Sequence, residues 1–201
     1  MEFIEDIATL EAHYGTPGEA SLVKVAYELT PTYRKWIMAS KFCVLSTIGP
    51  EGTDASPRGD DGPVVMELDP MHLALPDWRG NQRLDSLRNI VRDPRVSLMF
   101  FVPGSLNVVR VNGTAKLTTD EALLARFERA GKRPQTVTVI QIAEIYSQCA
   151  RAILRAGLWT SGDQSEGLPT VGDMLKEMTS GAFDGEAYDK EWPDRASKSL
   201  W

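Results

Sequence analysis

A chain of 201 residues with 42% hydrophobic and 25% charged residues is suited to one globular domain with helical additions. Its net charge of −6 argues against a nucleic-acid-binding surface, which is normally basic. No apolar run is long enough to cross a membrane and the first residues are acidic, so we expect neither a membrane partner nor a secretory signal.

Three short helices are predicted before residue 40. The first covers residues 3–13, where Ile4, Ile7 and Leu10 are apolar, and the second covers residues 21–28. The third begins at Thr30-Pro31, because threonine caps a helix and proline suits its first position. We expect residues 1–39 to form a helical lead-in to the domain that follows.

Residues 40–160 are predicted to form the main domain, which is rich in β-strands. Six segments contain β-branched and aromatic residues between turn residues: 42–47, 64–68, 72–75, 96–102, 107–117 and 135–145. Isolated helices interrupt them at 82–92 and after Thr119. The fold class is therefore mainly β with flanking helices (α+β), and the architecture is a six-stranded barrel with helices outside it.

The helix at 82–92 carries the clearest chemical signal. Asn81 is predicted to cap it, and a buried stripe is expected at Leu84, Leu87 and Val91. The first N–H groups of a helix lack partners inside the helix, and Arg83 adds a full positive charge beside them. This arrangement suits a phosphate group. The competing interpretation is an ordinary surface helix that carries an Asp85–Arg88 ion pair.

Two cysteines and two histidines limit other kinds of site. Cys43 and Cys149 are too few for a disulfide framework and lie in apolar segments, so we expect buried thiols in a cytoplasmic protein. His13 and His72 are far apart, so neither a metal site nor a Ser-His-Asp triad is expected. His72 is interpreted as a strand residue.

Several short motifs follow one another in the order and spacing of a known family. They are a strand-turn-strand over 43–60, the Pro76-Asp77 turn, Asn81-Gln82-Arg83-Leu84, and the segments 93–101 and 109–113. Together they resemble the flavin-binding proteins related to pyridoxamine 5'-phosphate oxidase, over roughly residues 40–159. The resemblance implies a split β-barrel of the FMN-binding type, FMN as the cofactor, and a homodimer with its flavins at the two-fold interface.

The resemblance also assigns roles to individual residues. Arg58, Arg83 and the helix start at Asn81 to Leu84 are expected to hold the FMN phosphate, and Ser56-Pro57-Arg58 to lie along the flavin. Pro76-Asp77 occupy the position where backbone atoms approach the flavin ring. In the family, the segment after the last barrel strand reaches the flavin of the partner subunit. A helix is predicted there at 146–158, so Arg151 and Arg155 on it are candidates for that contact, against the alternative of a solvated basic face.

The chain departs from the pyridoxal-forming oxidases in two places. Their Ser-Arg-Lys phosphate motif is replaced by Asn81-Gln82-Arg83, and their C-terminal Arg-x-His motif is missing, the nearest stretch being 155–159. A different small-molecule substrate, or flavin reduction by a reduced nicotinamide donor, is an equal alternative. An FMN-dependent oxidoreductase is the leading hypothesis, and its redox chemistry would belong to the flavin. The alternatives are a module that binds or stores flavin, deazaflavin or haem without catalysis, and a structural dimer with a degenerate site.

The remaining residues, 161–201, are predicted to form a tail. A linker at 162–167 precedes a helix at 171–179. Trp192 and Trp201 are unusual for a disordered segment, so we expect the tail to pack on the barrel or on a partner chain.

Overall fold

The computed structural model describes residues 1–149 and 151–199, without the side chain of Ser199. Eight helices are present in these ranges: α1 Ile7–Tyr14, α2 Glu19–Val23, α3 Pro31–Met38, α4 Asp85–Arg92, α5 Glu121–Ala125, α6 Arg151–Ala156, α7 Val171–Met178 and α8 Gly185–Ser199. Seven strands accompany them: β1 Phe42–Gly49, β2 Gly52–Gly59, β3 Met66–Asp69, β4 His72–Asp77, β5 Arg95–Phe101, β6 Asn107–Thr118 and β7 Thr136–Cys149. None of these helices is long and apolar enough to cross a membrane.

The strands form one antiparallel sheet in the order β2-β1-β5-β6-β7-β4-β3. The mainly β class with flanking helices is therefore confirmed, whereas the number of six strands is wrong. The seventh strand is β2, which the strand-turn-strand motif over 43–60 implied but the β-branched and aromatic pattern did not, because its sequence GTDASPRG is polar and contains Pro57. Such a strand is tolerated at a sheet edge, where proline leaves no ladder hydrogen bond unmade, and β2 pairs only with β1.

The main hydrophobic cluster lies on one face of the sheet, and a second one around Ala74, Phe127 and Val137 lies on the other. Alternate residues of the central strands are fully buried in the main cluster, among them Leu45 on β1, Leu98 and Phe100 on β5, and Val111 on β6. Ile37 of α3 belongs to the same cluster. Because side chains alternate along a strand, this pattern restrains the register of β1, β5 and β6.

The N-terminal helices differ from the prediction in their bounds. Helix α3 is confirmed, since Pro31 is its first residue and Thr30 Oγ1 accepts a hydrogen bond from the Tyr33 amide at 3.3 Å. Helix α1 begins later than predicted because Asp6 caps it. Helix α2 ends at Val23, before the predicted end, because Ala26 exchanges two backbone hydrogen bonds with Ile145 of β7.

The C-terminal part corrects three further predictions. Strand β7 extends to Cys149, so residues 146–149 are not helical, and α6 starts only at Arg151. Cys43 is buried as predicted, but Cys149 at the end of β7 is exposed. Helix α7 is confirmed at its predicted place, and α8 was not predicted.

The helices α7 and α8 pack against each other. The two backbones approach closely at Gly172 and Gly185, and the Gly172 amide donates a hydrogen bond to Asp189 Oδ1 at 3.0 Å. Trp192 on α8 is 56% exposed, so more than half of its surface is not covered within its own chain. Contact of the tail with a partner chain stays a prediction, and Trp201 lies outside the described residues.

Candidate functional site

A cavity of about 630 Å³ lies between β2, the end of β4 and the segment that leads into α4. Eight of the ten predicted cofactor-binding residues line it: Ser56, Pro57, Arg58, Pro76, Asp77, Asn81, Arg83 and Leu84. Apolar surface is contributed by Val64, Leu75, Trp78 and Leu87. The structure therefore brings together residues that are up to three secondary-structure elements apart in sequence, and their proposed role in cofactor binding stays a prediction.

One ion pair joins the two sides of the cavity. Arg58 Nη1 on β2 lies 2.5 Å from Asp77 Oδ1 at the end of β4. Strand β2 is one edge of the sheet and β4 is next to the opposite edge, so the sheet must curl for these side chains to meet. The Arg58 Nε atom is buried and has no hydrogen-bond partner among the described residues. A ligand acceptor at this point would satisfy a donor that is otherwise costly to bury.

The loop before α4 has an unusual backbone. Asn81 Oδ1 accepts a hydrogen bond from the Arg83 amide at 3.1 Å, which closes an Asx turn. Gln82 and Leu84 both have positive φ angles, of 60° and 62°. The helix therefore begins at Asp85, not at residue 82, and the predicted N-cap role of Asn81 is wrong.

The start of α4 lies at the cavity. Leu84 occupies the N-cap position, and no side chain there caps the first turn. Asp85, Ser86 and Leu87 of that turn all line the cavity. Because the first N–H groups of a helix have no acceptor within the helix, this end carries partial positive charge. The feature that motivated the phosphate hypothesis is present, three residues later than predicted.

Arg83 lies at the solvent side of the cavity. Its side chain is 76% exposed, and its Nε is 2.8 Å from Asp85 Oδ2. The predicted pair of Asp85 with Arg88 is absent from the ion pairs of the described residues. Exposed pairs of this kind contribute at most about 1 kcal/mol, so Arg83 can exchange its carboxylate for a ligand.

The buried face of α4 is partly polar and differs from the predicted stripe of Leu84, Leu87 and Val91. The buried residues are Ser86, Asn89 and Ile90, whereas Val91 is 75% exposed. Ser86 Oγ donates a hydrogen bond to Asp54 of β2, and Asn89 Nδ2 donates to Thr47 Oγ1 of β1 at 3.1 Å. These contacts rotate the helix relative to its hydrophobic pattern and fix its first turn against the β1–β2 hairpin.

A second polar cluster supports the cavity wall at Trp78. The indole Nε1 donates to Asp60 Oδ2 at 3.3 Å, and Asp60 Oδ1 lies 2.7 Å from Arg129 Nη1. Arg129 also pairs with Asp61. The Asp60 side chain is only 2% exposed, so these donors compensate a buried carboxylate. Sequence reasoning missed this cluster, and the only available signal was that Trp78 directly follows Pro76-Asp77.

Arg151 and Arg155 lie elsewhere. Both are exposed on α6, and neither lines the cavity. Their predicted contact is with the flavin of a partner subunit, and it stays a prediction.

One known family matches the part of the chain that forms the cavity. The family model for pyridoxamine 5'-phosphate oxidase matches residues 29–149, which include the whole sheet and every residue of the cavity wall. The chain belongs to the pyridoxamine 5'-phosphate oxidase family. The match begins at the entry to α3 and ends with β7, so α7 and α8 lie outside the part shared with the family.

Solved structures that match this chain share little sequence with it. HupZ from Group A Streptococcus is 16% identical, with a TM-score of 0.50, and the alignment covers 61% of this chain and 95% of HupZ. An FMN-binding protein from Syntrophomonas wolfei is 14% identical over 57% of this chain and 82% of its own, with a TM-score of 0.44. A FAD-binding protein from Mesorhizobium loti is 16% identical over 61% and 94%, with a TM-score of 0.41. No curated protein matches the sequence.

Proposed function

We propose that the protein binds FMN in the cavity between β2, β4 and α4 and acts as a flavin-dependent oxidoreductase. The observation that carries this proposal is the convergence of Arg58, Pro76-Asp77 and the uncapped start of α4 on one cavity. Flavin would supply the electron-transfer chemistry, so the chain need only bind, orient and shield it.

The cavity suits such a ligand in size and chemistry. Its volume of about 630 Å³ is within the range of small-molecule sites. The start of α4 and Arg83 would hold a phosphate, and the buried Arg58 Nε offers a further donor. Apolar surface from Val64, Leu75 and Trp78 suits an aromatic ring.

Haem is less well suited to this site. Haem iron is normally held by histidine, cysteine, tyrosine or methionine, and none of these lines the cavity in the described part of the chain. His72 begins β4 and its Nδ1 lies 3.0 Å from Asp69 Oδ1, outside the lining. Deazaflavin storage remains the alternative that shares the same ring and phosphate contacts.

We further propose a cytoplasmic homodimer that binds its flavins near the two-fold axis, with Arg151 or Arg155 reaching the flavin of the other subunit. Exposure of both arginines leaves them available for such a contact. Two free thiols, Cys43 and Cys149, suit a reducing compartment. A reduced nicotinamide or another small molecule would serve as the second substrate.

The test is a fluorescence titration of the flavin-free protein with FMN and with riboflavin, which lacks the phosphate. Arg83→Ala should weaken FMN binding about tenfold, because a charge-assisted hydrogen bond is lost. Arg83→Lys should recover part of the loss, since lysine lacks the planar fork. Riboflavin should bind the wild type and Arg83→Ala equally.

Arg95→Ala is the matched control, because Arg95 is also exposed and pairs with an aspartate two residues away, Asp93. It does not line the cavity and should leave FMN binding unchanged. Absence of any saturable FMN signal would refute the proposed cofactor. Equal losses for FMN and riboflavin would remove Arg83 from the phosphate site.

A further inference from the structure

A second cavity, of about 360 Å³, lies between α4 and the turn that joins β1 to β2. It adjoins the flavin cavity, because Asp54, Arg83 and Asp85 line both. We infer that this second cavity is a subsite for the phosphoryl group of a second ligand, the substrate or electron donor of the flavin. The inference rests on the proposed function.

Three arginines line this small space: Arg83, Arg88 and Arg92. Arg88 and Arg92 are four residues apart on α4 and therefore lie on the same face of the helix. Arg83 approaches from the loop before it. Guanidinium groups present paired N–H donors that match phosphate oxygens, so a cluster of three favours a phosphoryl ligand.

The acidic residues that line the second cavity contact partners other than Arg88. Arg92 pairs with Glu51 and Arg83 pairs with Asp85. Asp54 accepts a hydrogen bond from the Ser86 hydroxyl. Arg88 forms no ion pair with any described residue, although it belongs to the same lining.

The existing pairs can also be exchanged for a ligand. In the Arg92–Glu51 pair the side chains are 45% and 67% exposed, and Arg83 is more exposed still. Ion pairs that are open to solvent are weak, so a doubly charged phosphoryl group can replace a carboxylate without a large cost. Gly52 and Thr53 form the opposite wall, and no atom lies within 4 Å of the position where a side chain on Gly52 would begin. The cavity therefore has room at the entrance of β2.

Two kinds of second ligand share this chemistry: a phosphate monoester, and a dinucleotide with its pyrophosphate. Calorimetric titration of the FMN-saturated protein with phenyl phosphate and with ADP distinguishes them. At least one probe should bind the wild type. Arg88→Ala should weaken binding of the probe about tenfold. The affinity of the same variant for FMN should stay within about twofold of the wild type. Arg95→Ala is again the control and should bind the probe as the wild type does.

Each outcome decides the inference. Preferential binding of phenyl phosphate supports a monoester substrate, and preferential binding of ADP supports a dinucleotide donor. The inference is overturned if neither probe binds, or if Arg88→Ala and Arg95→Ala behave alike. If FMN itself does not bind, the proposed function fails, and titration of the flavin-free protein with the same probes still tests the subsite.

Discussion

The two cysteines of the chain lie in opposite environments. Cys43 is fully buried on β1, directly opposite Arg58 of β2, whereas Cys149 is exposed at the end of β7. Burial raises the pKa of the Cys43 thiol from its ordinary 9.0 to about 12, although the nearby Arg58 charge acts in the opposite direction. The thiol of Cys43 is therefore protonated and protected under physiological conditions.

A chromogenic aromatic disulfide should modify one thiol per folded chain, and the second only after unfolding. Cys149→Ser should abolish the rapid reaction. Because the folded protein keeps a proton on Cys43 that the unfolded chain loses, stability should fall as the pH rises above about 9 towards 12. Two rapidly reacting thiols in the native protein would contradict the burial of Cys43.

At the residue scale, the sequence predicted the cavity lining better than it predicted the contacts within it. Arg58, Asp77 and Arg83 were recognised by their order in family motifs. The Arg58–Asp77 pair was not predictable, because the two residues meet only when the opposite ends of the sheet approach each other. Arg129 supports the site through Asp60 from a segment that carries no motif at all.

At the scale of single elements, helix α4 was predicted correctly, but the face of the helix that was expected to be buried was wrong. The hydrophobic spacing of Leu84, Leu87 and Val91 correctly indicated a helix. The buried face instead combines Ile90 with polar contacts to Asp54 and Thr47, which a hydrophobic pattern does not encode. The positive φ angles of Gln82 and Leu84 likewise moved the start of the helix, since neither residue type signals such a conformation.

The docking of α4 on β1 requires a glycine at position 49. A Cβ atom added to Gly49 would lie 2.1 Å from Asn89 Oδ1 and 2.9 Å from Asn89 Cγ, both in a buried side chain. Gly49→Ala should therefore lower the free energy of unfolding by about 1–3 kcal/mol through overpacking. Chemical denaturation measures this change.

Gly80→Ala provides the control, because an added Cβ there has no atom within 4 Å. Its effect should stay within about 0.5 kcal/mol. In the double variant Gly49→Ala/Asn89→Ala the overlap is removed, so the combined loss should be smaller than the sum of the single losses. Strictly additive losses would show that Asn89 does not restrict position 49.

At the scale of the whole molecule, the exposed apolar side chains are concentrated away from the sheet. Leu98 and Phe100 of the aromatic strand β5 are fully buried within the chain, so they are not available for the expected homodimer interface. Helix α1, in contrast, has no buried residue, and Ile7 is 68% exposed. The homodimer remains a prediction, and the exposed apolar side chains of α1 support it better than strand β5 does.

Light scattering at micromolar concentration should give the mass of a dimer. If α1 contributes to the interface, replacing Ile7 and Leu10 by serine should shift the equilibrium towards the monomer. Replacement of Glu5 and Glu11, polar residues of the same segment, should not. A monomeric wild type would exclude the homodimer under these conditions.

The order of the strands indicates where the structure should open locally. The walls of the first cavity belong to strands that are five neighbours apart in the sheet, and the Arg58–Asp77 pair joins them. A separation of these ends opens the cavity even while every strand keeps its neighbours. A bound ligand that touches both walls would therefore hold the two ends of the curled sheet together. Its binding free energy would add to the free energy needed to separate them. The ligand-free form should therefore open first between the ends of β2 and β4. Ligand affinity and the local rigidity of these strands would then both measure how firmly the cavity is closed.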